Sequence, residues 1–132
     1  MPAFNSYDYA VIRVTPRVER GEFINAGVIL YCRGRKFMGA AIDLDESRLA
    51  AMAPGLTISE IRQHLALIPI ICGAGPSSGP IGALSQAERF HWLVSPRSTV
   101  IQTSPVHCGI TDDPALTLER LLTQLVRSPP AG

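Results

Sequence analysis

Cysteine and net charge are both scarce in this chain. Its three cysteines, Cys32, Cys72 and Cys108, are odd in number and far apart, so they match neither a disulfide framework nor a paired Cys-x-x-Cys metal site. The formal net charge is only +1 at pH 7, and without a broad basic field tight nucleic-acid binding through counterion release is disfavoured. The cysteine usage favours a reducing, cytoplasmic compartment.

Long apolar runs are missing as well. No stretch reaches the roughly 18 consecutive apolar residues that a membrane-spanning helix needs, and the start, MPAFNSYDYAV, has no cationic region followed by an apolar one. Membrane spanning and secretion are therefore disfavoured. The composition, 46% hydrophobic and 17% charged, is typical of a globular protein. We predict a single domain over residues 1–127 and a disordered tail, SPPAG, over residues 128–132.

Three segments in the first third of the chain alternate in hydrophobicity with the period of two that is typical of strands. They span residues 7–15, 23–32 and 35–42, and the short polar connections between them favour an antiparallel meander. The even-numbered positions of the first strand would face the core. We predict an α+β fold, in which an antiparallel sheet starts with this meander, gains a strand near 99–103, and packs its helices on the even face.

Helix-start signals occur at three places later in the chain. Thr57 with Glu60, and Ser85 with Glu88, have the spacing of capping boxes. Asp113–Pro114 combines a favoured N-cap residue with a proline at the first helical position. These signals predict three helices, in addition to a short one around residues 48–52.

Proline and glycine interrupt the helical region. Pro69 is expected to break or kink the helix that begins at Thr57. The stretch GAGPSSGPIG, residues 73–82, predicts a loop. A phosphate-binding loop would need a lysine that this stretch lacks, and Pro76 and Pro80 remove backbone donors. A connector is therefore favoured over a phosphate site.

Arg13 lies in the middle of the first predicted strand, where an unpartnered guanidinium is costly to desolvate. Antiparallel pairing around Glu19 places Arg13 opposite Asn25 and Val11 opposite Gly27. The partner of Arg13 is then either an anionic ligand or a structural acceptor: Asp8, Glu22 or a backbone carbonyl. Gly27 marks either a gap beside Arg13 or a β-bulge.

Polar functionality is concentrated between Glu88 and Cys108. These 21 residues hold two arginines, two histidines, the only tryptophan, a glutamine and several hydroxyls, which is more than a small core needs. Trp92 is either a core anchor or the wall of a pocket. We predict that ligand-binding residues from this segment and from the meander meet at one site: Arg13, Asn25, Arg89, Trp92, Arg97, Ser98, Gln102 and His107.

Signatures of known reactions do not accompany this set. No serine lies in a G-x-S-x-G elbow, and no His/Cys/carboxylate spacing matches a zinc pattern. Adjacent His107 and Cys108 would point to opposite sides of a strand. We therefore expect no metal and no cofactor, and whether the chain is an enzyme stays open. If it is one, His91 or His107 would be the general acid or base.

Several blocks together carry a resemblance to a known family: YDYAVIRV, RVERGEFINAGVILYC, ERFHWL and PRSTVIQTSPVH. The chain resembles the bacterial domain of unknown function 3037 family, DUF3037, from about Tyr7 to Val126. The resemblance implies a small cytoplasmic bacterial protein, and its association with HipA-like kinase proteins implies a protein partner. Cys108 stands where the resemblance would place a threonine. Positions that fall on the family's blocks are Arg13, Glu22, Asn25, Gly27, Arg89, His91, Trp92, Arg97, Ser98, Gln102, Ser104 and His107.

Two functions remain open at this point. The first is an accessory or interaction module whose Arg/His/Gln surface binds an anionic group, on a small molecule or on another protein. Arg13 and Arg97 would contact the anion, while Trp92 would wall the pocket. The second is an enzyme for a phosphorylated or carboxylated small substrate, with a histidine in the pocket that holds Arg13 and Arg97.

Overall fold

A computed structural model describes residues 3–127, apart from the side chains at positions 76 and 77. The predicted tail, residues 128–132, lies outside the described residues. The described chain has five strands: β1 (Asn5–Val14), β2 (Ile24–Cys32), β3 (Phe37–Ile42), β4 (Ile101–Thr103) and β5 (His107–Thr111). It has four α-helices: α1 (Glu46–Met52), α2 (Ile58–Gly73), α3 (Gln86–Val94) and α4 (Pro114–Leu125). Short 3₁₀ turns lie at Val18–Arg20, Arg33–Arg35 and Pro76–Ala83.

All strands join one antiparallel sheet in the order β3-β2-β1-β4. β5 pairs with residues 5–9 of β1, and β4 pairs with residues 12–14 of the same edge. The α+β class and the N-terminal meander are thus confirmed. The predicted strand near 99–103 is shorter than expected. Pro105 ends it, and the chain continues into β5, which the pattern of hydrophobicity did not predict.

A bulge in β2 changes the predicted register. Arg13 pairs with Asn25, as predicted, but Val11 pairs with Val28 and not with Gly27. The shift arises because β2 has one extra residue between the pairs formed by Arg13 and by Ile12. A Cβ at Gly27 would lie only 2.6 Å from the carbonyl oxygen of Ala41. Of the two interpretations of Gly27, the bulge is therefore correct, and no gap exists beside Arg13.

Helices cover both faces of the sheet, not one. On the first face, α1, α2 and α3 pack over Ile12, Val14 and Ile29. On the opposite face, α4 packs over Val28 and Leu30. The expected one-sided arrangement is corrected because β1 and β2 are central strands with apolar side chains on both sides. An amphipathic helix must cover the second apolar face.

Two expectations for α2 also need correction. The helix continues past Pro69 to Gly73, because Ile68, Ile71 and Cys72 on its last turns are buried in the core. That burial outweighs the hydrogen bond which a proline inside a helix cannot form. Thr57 is the N-cap residue, but its side chain makes no cap hydrogen bond. The capping box of Ser85 and Glu88 at the start of α3 is confirmed.

The segment Ile58–Ala83 is apolar and long enough by composition to cross a membrane. In the structure it is not one straight helix. α2 ends after 16 residues, about 24 Å at 1.5 Å per residue, which is less than a hydrocarbon core of about 30 Å. Ala74 follows in the left-handed conformation, with φ of 51°, and the 3₁₀ turns come after it.

Candidate functional site

A groove of about 720 Å³ opens between α2 and the segment 92–103. Its walls are mainly apolar, and its size is within the range of pockets that bind ligands. Leu67 and Trp92 line it with 47% and 39% of their surfaces exposed. Large apolar side chains that are partly exposed in one concave surface indicate a binding site. The lining residues that matter for its chemistry are Glu60, His64, Leu67, Trp92, Arg97 and Gln102.

One face of α2 forms the first wall. The helix buries Ile61, Leu65 and Ile68 in the core. Residues one position earlier along the chain, at 60, 64 and 67, form a neighbouring stripe at spacings of four and three. This stripe lines the groove. Burial of the core stripe therefore fixes the orientation of the groove stripe.

The second wall is the polar segment between α3 and β4, which is held by local hydrogen bonds. The hydroxyl of Ser95 donates to the carbonyl of His91 over 2.6 Å. Thr99 Oγ1 donates to the Ile101 carbonyl, and Gln102 Nε2 donates to the Thr99 carbonyl, both over 2.8 Å. These side-chain hydrogen bonds take the place of the backbone hydrogen bonds that a strand forms and a loop lacks. The wall is thus ordered although it is not a continuous strand.

Arg97 is the cation on this wall. Its Cζ lies 4.4 Å from the centroid of the Trp92 ring, and its Nη2 donates to the Trp92 carbonyl. Among residues 3–127, no carboxylate lies within ion-pair distance of Arg97. The stacked guanidinium is therefore fixed in place, while its remaining N–H groups can receive an anion.

Arg13 lies elsewhere, so the predicted cluster of arginines does not form. Its Cζ lies 4.1 Å from the ring centroid of Phe23, which is not part of the groove. Its neighbour in register, Asn25, donates from Nδ2 to the Leu125 carbonyl at the end of α4 over 2.9 Å. Arg13 Nε and Asn25 Oδ1 are buried without a hydrogen-bond partner in the described part of the chain. Gln102 pairs with Arg13 from the other side.

Arg89 has a structural environment. It is buried on α3, where Nη1 donates to the Leu84 carbonyl over 2.5 Å and Nη2 to the Cys72 carbonyl over 3.4 Å. It therefore joins the start of α3 to the end of α2, and it is not exposed to a ligand. Burial raises the pKa of the Cys72 thiol to about 12, although the positive charge of Arg89 opposes this effect. Cys72 stays protonated at neutral pH and is a core residue.

The remaining predicted residues lie outside the groove lining. Ser98 and His91 are exposed, on the loop before β4 and on α3. His107 is exposed on β5, with its ring centroid 5.4 Å from that of Tyr9. Of the predicted set, Trp92, Arg97 and Gln102 line the groove. Arg13, Asn25 and Gln102 are neighbours in register across β1, β2 and β4. The structure does not unite either predicted histidine with Arg13 and Arg97.

Sequence reasoning missed the contribution of α2. Glu60, His64 and Leu67 line the groove opposite Arg97. A signal for them is present in the sequence, because Leu67 is a leucine outside the apolar stripe of Ile61, Leu65 and Ile68 and lies three residues after His64. An apolar residue beside the core stripe of an otherwise polar helix face indicates a second contact surface.

Comparison with known proteins gives one match. A family model described as "Protein of unknown function (DUF3037)" matches residues 9–126. The match covers most of the chain and confirms the resemblance in the sequence blocks. No curated protein and no solved structure gives a significant match.

Proposed function

Because this chain belongs to the DUF3037 family, whose description names no activity, we propose its function from the groove: it is an interaction module that binds an apolar peptide segment carrying a carboxylate. The observation that carries the proposal is the arginine that is stacked on Trp92 beside an exposed leucine. The structure offers an apolar surface and one immobilised cation in the same groove.

The apolar part of the proposed ligand follows from Leu67 and Trp92. Both are large, partly exposed, and located on facing walls. Binding would remove their apolar surfaces from water, at about 25 cal/mol per Å². Partly exposed tryptophans in pockets are frequent centres of protein–protein binding energy.

The carboxylate follows from Arg97. A guanidinium that is already held by a ring and a carbonyl loses little conformational entropy when it binds an anion. A planar carboxylate can accept two parallel N–H bonds from it. Glu60 and His64 line the same groove, so we propose a segment with one acidic side chain and not a strongly acidic one.

A protein partner fits this surface better than the alternative of a small phosphorylated or carboxylated substrate. That alternative required His91 or His107 in one pocket with Arg13 and Arg97, and the groove contains only Arg97 of these four. We propose that a HipA-like kinase, the partner that the resemblance implies, supplies the segment.

A random-peptide phage library panned on the immobilised protein tests the proposal. We expect enrichment of apolar sequences with one Asp or Glu. Leu67→Glu should weaken the selected peptide's binding at least about tenfold, because a buried leucine contributes about 1.5–3 kcal/mol. Arg97→Ala should weaken it by a similar factor.

Leu116→Glu is the matched control. Leu116 is also an exposed helical leucine, on α4, and it does not line the groove. Its substitution should leave peptide binding unchanged. If panning yields no peptide whose binding depends on Leu67, or if both leucine variants weaken binding equally, the proposed function is wrong.

A further inference from the structure

The outer edge of β4 has unused backbone groups. Within residues 3–127, β4 pairs with β1 on one side and with no strand on the other. On the β1 side, Thr15 N donates to the Val100 carbonyl over 2.6 Å, and Ser104 N donates to the Val11 carbonyl over 2.8 Å. Antiparallel ladders alternate, so Gln102 also directs its backbone groups toward β1. The N–H groups of Ile101 and Thr103 therefore point away from the sheet.

Side chains support this assignment. The hydroxyl of Thr99 donates to the Ile101 carbonyl, which is accessible because that carbonyl points outward. The Thr103 hydroxyl lies 3.4 Å from the Val94 carbonyl and donates to it. In the described part of the chain, no backbone partner of the outward N–H groups of Ile101 and Thr103 is found.

This edge borders the groove. Ile101 and Thr103 both line it, together with Arg97. Residues 98–104 contain no proline and no charged side chain, which are two of the features with which sheet edges prevent further pairing. The arrangement combines an unpaired strand edge, a helix wall from α2 and a cation in one concave surface.

We propose that the partner segment binds in extended conformation as an additional strand on the outer edge of β4. This inference rests on the proposed function and specifies how the same groove holds its ligand. Backbone bonds to Ile101 and Thr103 would fix the segment, alternate apolar side chains would enter the groove beside Leu67, and the carboxylate would meet Arg97.

An extended peptide can form backbone hydrogen bonds with the outer edge of β4, whereas a helix cannot. A helix bonds its own N–H and C=O groups internally, so burying β4 under a helix would leave the outward N–H groups without partners. An extended segment supplies carbonyls at the spacing of the strand. A second copy of this chain could also pair with the edge, and that outcome is part of the test.

Amide hydrogen exchange measured by NMR, with and without a library-selected peptide, tests the proposal. We expect exchange at Ile101 and Thr103 to slow at least about tenfold on peptide binding. Gln102, whose amide is already bonded to β1, is the internal control and should change little. N-methylation of alternate peptide bonds in the peptide should reduce its affinity by a similar factor.

Two variants separate the backbone from the side chain. Thr103→Pro removes the outward N–H at a position where an edge strand tolerates proline, whereas Thr103→Val removes only the hydroxyl. We expect the proline variant to bind at least about tenfold more weakly and the valine variant to bind normally. Circular dichroism checks that both variants fold. If Thr103→Pro unfolds, the exchange experiment and the N-methylated peptides decide.

The outcomes distinguish the two proposals. Binding that depends on Leu67 but leaves exchange at Ile101 and Thr103 unchanged overturns strand addition and leaves the proposed function standing. The absence of any peptide that depends on Leu67 overturns both. A dimer in light scattering that Leu67→Glu dissociates would replace the peptide with a second copy of the chain and overturn the proposed occupant.

Discussion

Ser104 holds the junction between β4 and β5 against the centre of the sheet. It is buried, and its hydroxyl accepts a hydrogen bond from Val11 N over 2.9 Å while its own backbone N–H donates to the Val11 carbonyl. Pro105 turns the chain away at the next residue, so the side chain replaces the ladder acceptor that the backbone cannot provide. One hydroxyl thus keeps the junction after β4 bonded to β1.

Ser104→Ala should lower the free energy of unfolding by about 1–3 kcal/mol, because it leaves the Val11 N–H buried without an acceptor. Urea denaturation followed by circular dichroism measures the change. Ser98→Ala, at an exposed position nearby, is the control and should be within about 0.5 kcal/mol of wild type. Equal stability of the two variants would contradict the role of Ser104.

Cys72 makes the stability depend on pH in the alkaline range. Its pKa is raised from 9.0 to about 12 by burial, with Arg89 opposing, so the fold favours the neutral thiol. The contribution of the Cys72 thiol to the free energy of unfolding is complete below the unfolded pKa of 9.0. It is lost as pH rises toward the folded pKa of about 12. In that window the unfolded chain releases a proton that the folded chain keeps, so unfolding becomes easier by up to about 1.4 kcal/mol per pH unit.

Cys72→Ala removes this dependence, and a comparison of variant and wild type cancels the other titrating groups. The difference in unfolding free energy between the two proteins should shrink between about pH 9 and about pH 10.5. Urea denaturation at both pH values measures it. A constant difference would mean that Cys72 is not desolvated.

At the scale of elements, the β2 bulge lets both faces of the sheet become apolar. Ala26 and Ile29 lie in one core cluster, and Val28 and Leu30 lie in the other. Gly27 follows the extra residue of the bulge, and a side chain there would collide with the carbonyl of Ala41 on β3. A close approach of two backbones, not a turn, is what requires glycine here.

Gly27→Ala should therefore destabilise the protein by about 1–3 kcal/mol through overpacking. Gly73→Ala is the matched control, since a Cβ there meets nothing within 4 Å at the end of α2. It should be neutral or stabilise by up to about 1 kcal/mol, because alanine favours helix. Thermal unfolding compares the two, and similar melting temperatures would contradict the proposed close packing at Gly27.

The sequence predicts well the features that depend on local signals. It predicts less well the features that depend on contacts between distant segments. The capping box at Ser85 and the pairing of Arg13 with Asn25 depend on neighbouring residues or on the loop between two consecutive strands, so the sequence displays them. The continuation of α2 past Pro69 and the existence of β5 depend on burial against distant strands, which a local pattern does not contain. The groove joins α2 to a segment some 30 residues later, and only the fold reveals that they face each other.

At the scale of the whole molecule, the two faces of the sheet have different roles. α4 closes one face, and Arg13 lies there against Phe23 beside the end of that helix. The other face carries three helices that leave the groove between α2 and β4. The expected single arginine site does not form, because sequence distance does not reveal which side of a sheet a residue occupies. The structure separates Arg13 from Arg97 and leaves Arg97 in the groove.

Trp92 is the only tryptophan in the chain and lines the groove, so its fluorescence reports the proposed binding directly. Titration of a library-selected peptide should shift Trp92 emission to shorter wavelength in a saturable manner, because binding removes the indole from water. Leu67→Glu should raise the peptide concentration at the midpoint of the titration at least about tenfold. Leu116→Glu should leave this concentration unchanged. Peptide binding detected by calorimetry with no change in Trp92 emission would contradict the account.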